Sequence, residues 1–448
     1  MNLSLFTPSW RRKTEVETTI AIDERVSIVK NRPAAEARKS EERRFIARQP
    51  ILDRELAVCG YELLFRSGWE NRFIGDSDDA TRKMIADGAL YGFHELTHGT
   101  PSFVNCTRES LVNGLVTLLP RSTVLEILET IVADKEVIAA CTRYKAMGYK
   151  LALDDFRINE HTRPLVHLAD YVKVDFRLSD AKERRKIIEL FRGRETVMIA
   201  EKVETAQEFE TAKAEGFQLF QGYFFCMPTV FSKKRAPTNG VNYLYLIAAL
   251  SQDHFDVAQL SLLLKSEPAL CYQLLRLVNS ASFGAPQQIR SVQDALVLVG
   301  EVRFRKLMMN AIATETCRDR PRELLVDVLH RARFLELMAP FTRENPTEQY
   351  LFGLLSMMDV MLGMPVDELI NALPLRDEVK AAVTGAANSV SLALNLYKHY
   401  RSADWAYCAT QAKMLHISEN DLSDLYRKSL ILAEKSVNSV REKEAIAS

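Results

Sequence analysis

In the first half of this 448-residue chain, carboxylates, amides and one lysine recur at one kind of place, the end of a short apolar run. VCGYE closes on Glu62, SFVN on Asn105, VLE on Glu126, LALDD on Asp154 and Asp155, YVKVD on Lys173 and Asp175, VMIAE on Glu201 and LFQ on Gln221. Amphipathic packing does not demand a polar residue at each of these ends. Gathered together they form an acidic cluster with a lysine and two amides, and such carboxylates repel one another unless cations neutralise them. Oxygen ligands without His or Cys suit Mg²⁺ or Mn²⁺. Two such ions about 3.5 to 4 Å apart suit phosphodiester cleavage, because they clamp both the attacking and the leaving oxygen. Taken singly, each residue is explained as well by capping a helix or bonding a loop. The repetition carries the reading, and Asp154-Asp155 is its most specific member: at the end of an apolar LAL run, alternation turns one of the two inward.

The elements that must position these residues follow from the pattern around them. From Phe45 to Phe231, β-branched and aromatic runs alternate with helix-like stretches, as in a parallel sheet with crossover helices. If that sheet closes into a (β/α)8 barrel, the C-terminal ends of its strands converge on one mouth. SKKRAPTNG, residues 232–240, breaks the pattern and reads as a linker. Beyond it the periodicity is helical throughout. The expected fold class is therefore α/β plus all-α: a charged arm over 1–44 with no assigned function, a barrel over 45–231, and a helical domain over 241–448.

Lys plus Arg and Asp plus Glu both total 59, so no global field favours nucleic acid or an anionic membrane. The cysteines at positions 59, 106, 141, 226, 271, 317 and 408 are scattered without a C-x-x-C pair and read as buried thiols of a cytoplasmic protein. No secretory h-region and no long uncharged apolar run is present, so a soluble chain is expected. Phosphate-loop, G-x-G-x-x-G and Gly-Gly cyclase signatures are absent, which leaves kinase, dinucleotide-redox and cyclase readings unsupported. Three lesser features have ordinary explanations. His94 and His98 lie one helical turn apart without a third ligand; RRKIIELFRGR, 184–194, suits a solvated crossover helix; and Asn279, Ser280, Ser282 and Gly284 suit a helix end and turn.

The ordered motifs resemble the EAL family of cyclic di-GMP phosphodiesterases. QPILDRELAVCGYELLFR (49–66) resembles the opening strands, with Glu62-Leu63-Leu64 where the family reads Glu-Ala-Leu. FVN, VLEILE, LALDDF, YVKVD, IAEKVET and FQGYFFCMP resemble the later motifs in order. The resemblance implies a variant (β/α)8 barrel that hydrolyses one phosphodiester bond of cyclic di-GMP. Glu62, Asn105, Glu126, Asp154, Asp155 and Asp175 would surround the metals, Mg²⁺ or Mn²⁺. Lys173 and Glu201 would act on the attacking water, Arg66 and Gln221 would hold the ligand, and Glu129 would anchor a loop. Two departures stand out: FRINEHTRPL (156–165) replaces a Gly, Thr and Ser-rich loop that couples metal binding to dimerisation, and Leu63 adds bulk beside Glu62.

Residues 244 to about 420 resemble the HDOD domain, most clearly in LLRLVNSASFGAPQQIRSVQDALVLVG (274–300) and GLLSMMDVMLGMP. HDOD domains resemble metal-dependent HD phosphohydrolases, yet no His in this chain precedes an Asp, and Ser356 and Met357 stand at the corresponding place. This half is thus expected to be an interaction or output module with a protein partner. The whole resembles two-domain EAL–HDOD proteins of cyclic di-GMP signalling. A receptor that binds cyclic di-GMP without turnover is the favoured expectation, an active phosphodiesterase the alternative, and a nucleotide-independent scaffold the third reading, with homodimerisation left open.

Overall fold

The computed structural model describes residues 45–66, 96–224, 240–279, 289–362, 366 and 375–445, apart from positions 253, 255 and 319. The arm over 1–44, His94, Ser280, Ser282, Gly284, most of the 232–240 linker and the Arg66 side chain lie outside that description.

Eight strands close into a barrel in sequence order. They are β1 (Phe45–Leu52), β2 (Val58–Arg66), β3 (Ser102–Cys106), β4 (Thr123–Ile127), β5 (Lys150–Leu153), β6 (Tyr171–Asp175), β7 (Val197–Glu201) and β8 (Leu219–Gln221). β1 runs antiparallel to both of its neighbours, whereas each pairing from β2 to β8 is parallel. Consequently the start of β1 and the ends of the others share one mouth. Among the described residues, the helices that connect the strands on the outside are α1 (Arg108–Val112), α2 (Lys135–Ala146), α3 (Ala181–Phe191) and α4 (Ala206–Glu215). The local signals are ordinary ones. Asp134 and Asp180 cap α2 and α3, and Thr205 with Glu208 forms a reciprocal capping box at α4.

The basic segment 184–194 falls largely on α3. Arg184 there is buried rather than solvated: it pairs with Glu215 at 2.7 Å and covers the Phe176 ring at 3.9 Å. Burial of the cysteines is incomplete as well, since Cys59 and Cys271 are only partly buried. No described helix is long and apolar enough to cross a membrane.

The second half is helical. α5 (Gly240–Leu250), α6 (Val257–Lys265), α7 (Pro268–Val278), α8 (Val292–Val299) and α9 (Glu301–Thr316) precede a long central helix, α10 (Arg322–Thr342). α11 (Pro346–Leu355), α12 (Met358–Leu362), α13 (Asp377–Val383), α14 (Leu392–Arg401), α15 (Trp405–Met414) and α16 (Glu419–Ala445) follow. α10 lies against α11 so closely that a Cβ on Gly353 would stand 2.6 Å from the Ala332 Cα, so no larger residue fits there. Asn279 behaves as the end-and-turn reading requires, bonding Leu275 and both backbone groups of Ile289.

The two halves meet along β1. Ala47 belongs to the same buried cluster as Phe334, Tyr397 and Tyr400 of the helical half. Arg48 pairs with Glu434 at 2.5 Å and covers the Tyr61 ring, while the Tyr61 hydroxyl bonds Glu323. His98, the described member of the suspected histidine pair, contacts Glu434 at 2.7 Å and so serves this junction.

Candidate functional site

One apolar layer fills the barrel and sets the level of everything above it. Ile51, Phe103, Val124, Ala152 and Ile199 are buried together, with Tyr171 and Leu219 against them. Strand side chains alternate between faces, so the residue two positions on points inward again, one layer nearer the mouth. Those positions are Asn105, Glu126, Asp154, Lys173, Glu201 and Gln221. Because β1 runs the other way, its contribution comes two residues before Ile51: Gln49, paired in register with Glu62. Most of the polar ends of the apolar runs therefore form one ring, produced by a period of two applied to each strand.

The ring is organised around an ammonium group. Lys173 Nζ lies 3.1 Å from Glu62, 2.7 Å from Glu126, 3.0 Å from Asp154 and 2.9 Å from Glu201. Asn105 donates to Glu62 at 3.4 Å, and Gln221 donates to Glu62 at 2.6 Å and to Gln49 at 3.0 Å. Glu126 and Lys173 are 0% and 1% exposed. At that depth a lone charge could not persist, so these groups define one another's ionisation. Burial pushes Glu126 well above the usual carboxylate range, Glu62 adds to the push, and Lys173 opposes it. Burial likewise raises Glu201 to about 8 against the pull of Lys173. For Lys173 burial works to lower the pKa, but Glu126, Glu201, Glu62 and Asp154 outweigh it and hold the ammonium well above its ordinary value.

A second, shallower group stands at the rim. Lys202 Nζ pairs with Asp175 and lies 3.5 Å from Asp155. Asp175 also accepts from the backbone N–H groups of Arg177 and Leu178. Both Lys202 and Asp155 adopt left-handed backbone, at φ 55° and 39°. The adjacent aspartates thus divide: Asp154 faces Lys173 and Asp155 faces Lys202.

A metal ion fits the inner group by donor chemistry. Its donors are oxygens only, and Asn105 Oδ1 and Glu126 Oε2 are buried without a hydrogen-bond partner. Four carboxyl groups also face a single ammonium, and a divalent cation would balance the negative charge they carry when ionised. As they stand, however, no three or more His, Cys, Asp or Glu side chains among the described residues are arranged to hold a metal. The carboxylates face Lys173, and an ion would draw their oxygens away from it.

Most of the residues expected at the mouth are thus brought together: Glu62, Asn105, Glu126, Asp154, Lys173, Glu201 and Gln221 in the inner ring, Asp155 and Asp175 at the rim. Glu129 is not among them. It is exposed in the turn after β4 and no hydrogen bond from its side chain is seen among the described residues, so the expected loop anchor is not observed. Three contributors went unnoticed in the sequence. Gln49 sits in the QPI run and was masked by its own strand's reversal, Lys202 directly follows Glu201, and Arg401 comes from the other half of the chain, where its backbone carbonyl accepts from Gln49 at 3.5 Å. No motif signals Arg401. Its guanidinium pairs with Asp327 and lies over the ring of Tyr223, two residues beyond Gln221. Between them, Gly222 is essential to the turn: at φ 145° a Cβ would stand 2.0 Å from the Val203 carbonyl.

Comparison with known proteins finds one family in each half of the chain. Residues 99–228 match the EAL domain family and residues 237–365 match the HDOD domain family. An uncharacterised protein of Bacillus subtilis, YuxH, is 34% identical over 84% of this chain and 95% of its own length. The cyclic di-GMP phosphodiesterase CdgJ of Vibrio cholerae is 32% identical over 87% of this chain and 91% of its own. Among solved structures, Bacillus subtilis YkuI, an EAL-domain protein in complex with cyclic di-GMP and calcium, is 17% identical with a TM-score of 0.36, over 50% of this chain and 72% of that one.

Proposed function

The chain belongs to the EAL–HDOD family of two-domain proteins, and from that premise we propose that its barrel mouth binds cyclic di-GMP and hydrolyses one of its phosphodiester bonds with the help of a divalent cation. The observation that carries this reading is the convergence of Glu62, Asn105, Glu126, Asp154 and Glu201 around Lys173 in a chain whose relative CdgJ is named for this activity. Glu62, Asn105, Glu126 and Asp154 would hold the ion, Mg²⁺ or Mn²⁺ by the hardness of the donors. When bound, it supplies Lewis-acid stabilisation of charge developing on the phosphoryl oxygens.

The chain's own residues do the rest. Glu201, raised to about 8 by burial, is a stronger base than an ordinary carboxylate, as the group that takes the proton of an attacking water needs to be. Water adds to phosphorus as its proton passes to Glu201, the bond to one ribose oxygen breaks, that oxygen takes a proton from solvent to leave the linear dinucleotide, and Glu201 returns its proton to solvent. Lys173, held cationic by four carboxylates, fixes those side chains and presents positive charge to the oxygens of the reacting phosphate. Gln221 and Arg66 hold the nucleotide. Fixing Glu62 from Lys173, Gln221 and Asn105 pre-organises the site before ligand arrives.

A second reading, a receptor with little or no turnover, is favoured by FRINEHTRPL in place of a small-residue loop and by Lys202 at the rim. Parallel calorimetry and product chromatography with cyclic di-GMP and Mg²⁺ or Mn²⁺ separate the readings. Hydrolysis that falls about a thousandfold in Glu62→Gln, with binding and fold retained, is the expected result. Binding without product in the wild type would move the protein to the receptor reading, and no binding at all would sink both.

A further inference from the structure

We infer that the barrel mouth takes one divalent cation rather than two, because the ammonium of Lys202 is a built-in replacement for the second. The inference rests on the metal-assisted reading above and deepens it. Phosphodiester chemistry at paired sites uses two ions, one for the attacking and one for the leaving oxygen. The acidic residues of this mouth fall into two groups, as two ions would require, but the groups are not equivalent.

The inner group has donor capacity to spare. Four carboxylates share one ammonium, and Asn105 Oδ1 and Glu126 Oε2 have no hydrogen-bond partner. The rim group has far less. Asp175 gives one oxygen to two backbone N–H groups and the other to Lys202, while Asp155 faces the same ammonium. Two carboxylates against one fixed cation leave about a single negative charge, too little to strip water from a second divalent ion.

The backbone at Lys202 is consistent with a residue kept for its charge. Its φ of 55° lies in the left-handed region, which a side chain with a Cβ adopts only at a conformational cost. The side chain is 46% exposed, so packing does little to fix its ammonium. What fixes the ammonium is the pairing with Asp175 and Asp155, while the backbone is tied on either side by the Phe176 N–H to the Glu201 carbonyl and the Val203 N–H to the Gln221 carbonyl. As a point charge on a flexible stem, an ammonium can offset negative charge on a phosphate but cannot polarise a bound water as a divalent ion does. The consequence is tight binding of the dinucleotide with slowed hydrolysis.

The test is Mn²⁺ binding by the full-length protein without nucleotide, followed by electron paramagnetic resonance and calorimetry. Wild type and Lys202→Arg should bind one Mn²⁺. Lys202→Gly, which also relieves the left-handed backbone, and Lys202→Met, which keeps the stem, should each bind two. Turnover in Lys202→Gly should rise about tenfold, mainly in kcat. Two ions or none in the wild type, or one in both uncharged variants, would overturn the inference. Cyclic di-GMP titrated into the same samples keeps the two readings apart: the stated Mn²⁺ counts with no nucleotide binding would leave Lys202 as the cation substitute and remove the proposed function instead.

Discussion

Among the described residues, two buried clusters of charge, one inside each half, are built on opposite principles. In the barrel, Glu62, Glu126, Asp154 and Glu201 outnumber the single Lys173. In the helical half, Asp327 of α10 pairs with Arg401 and Arg331 and accepts from the Tyr397 hydroxyl at 2.7 Å, while His330 contacts that same hydroxyl. The protonation states follow. Burial raises Glu126 and Glu201, and their like-charged neighbours add to the rise. Asp327 is driven below the usual carboxylate range, because Arg401 and Arg331 overcome the burial that would raise it. A cluster with unbalanced charge is poised to receive a cation; a cluster whose charges already have partners is part of the scaffold. The contrast separates a candidate site from a structural network without reference to any motif.

The largest expected effect breaks the structural cluster. Asp327→Asn leaves Arg401 and Arg331 buried with neutral company and should destabilise the protein by about 3 to 5 kcal/mol, read from the denaturation midpoint. The same experiment on Glu126→Gln, which relieves repulsion in the barrel, should leave stability within about 1 kcal/mol of wild type in metal-free buffer, or raise it. Equal losses at the two positions would erase the distinction.

Next in size is the response to cation. Mn²⁺ at about a hundredfold over its dissociation constant should stabilise the wild type by about 2.7 kcal/mol. Amide exchange should slow in β2, β4 and β5 and stay unchanged in α10, and Glu62→Gln should lose most of the effect. Slowing centred on α10 would place the ion in the wrong half.

A smaller effect is an opposed dependence on pH. Glu201, raised to about 8, lets the folded barrel bind more protons than the unfolded chain between the ordinary Glu value and about 8, so this contribution to stability falls as pH rises across that window. His330 is lowered to about 3, chiefly by burial. The unfolded chain therefore binds more protons between about 3 and the ordinary His value, and the helical half gains stability as pH rises through that range. Metal-free amide exchange at pH 5 and pH 8 should show β7 loosening and α10 tightening with rising pH. Glu201→Gln should flatten the first trend and His330→Asn the second.

The smallest expected change is at the junction. His98 is partly exposed and Arg48 remains on Glu434 without it, so His98→Ala should cost about 1 kcal/mol or less.

How legible all this was in the sequence depends on how local its cause is. The residues of the inner ring could be read because alternation along each strand is a property of the strand alone. Gln49 escaped because β1 is reversed, so its inward polar residue precedes the apolar layer instead of following it. Glu129 was placed at the site by its motif, but its turn leaves it in solvent. Lys202 adjoins a recognised glutamate, yet nothing in EKVET says that its backbone turns left-handed and brings its ammonium to Asp175 and Asp155.

The amino-acid sequence by itself determined the division into a strand-and-helix half and a helical half, the inward polar side chains of the parallel strands, and the absence of His and Cys from them, because periodicity and composition act over a few residues. Tertiary structure decided which charges meet. It placed Lys173 at the centre of four carboxylates, split Asp154 from Asp155, and carried Arg401 from α14 to the ring of Tyr223. The physical reason is that electrostatic energy depends on distance and burial, and both are set only when strands far apart in sequence close into one barrel and a helix packs against it.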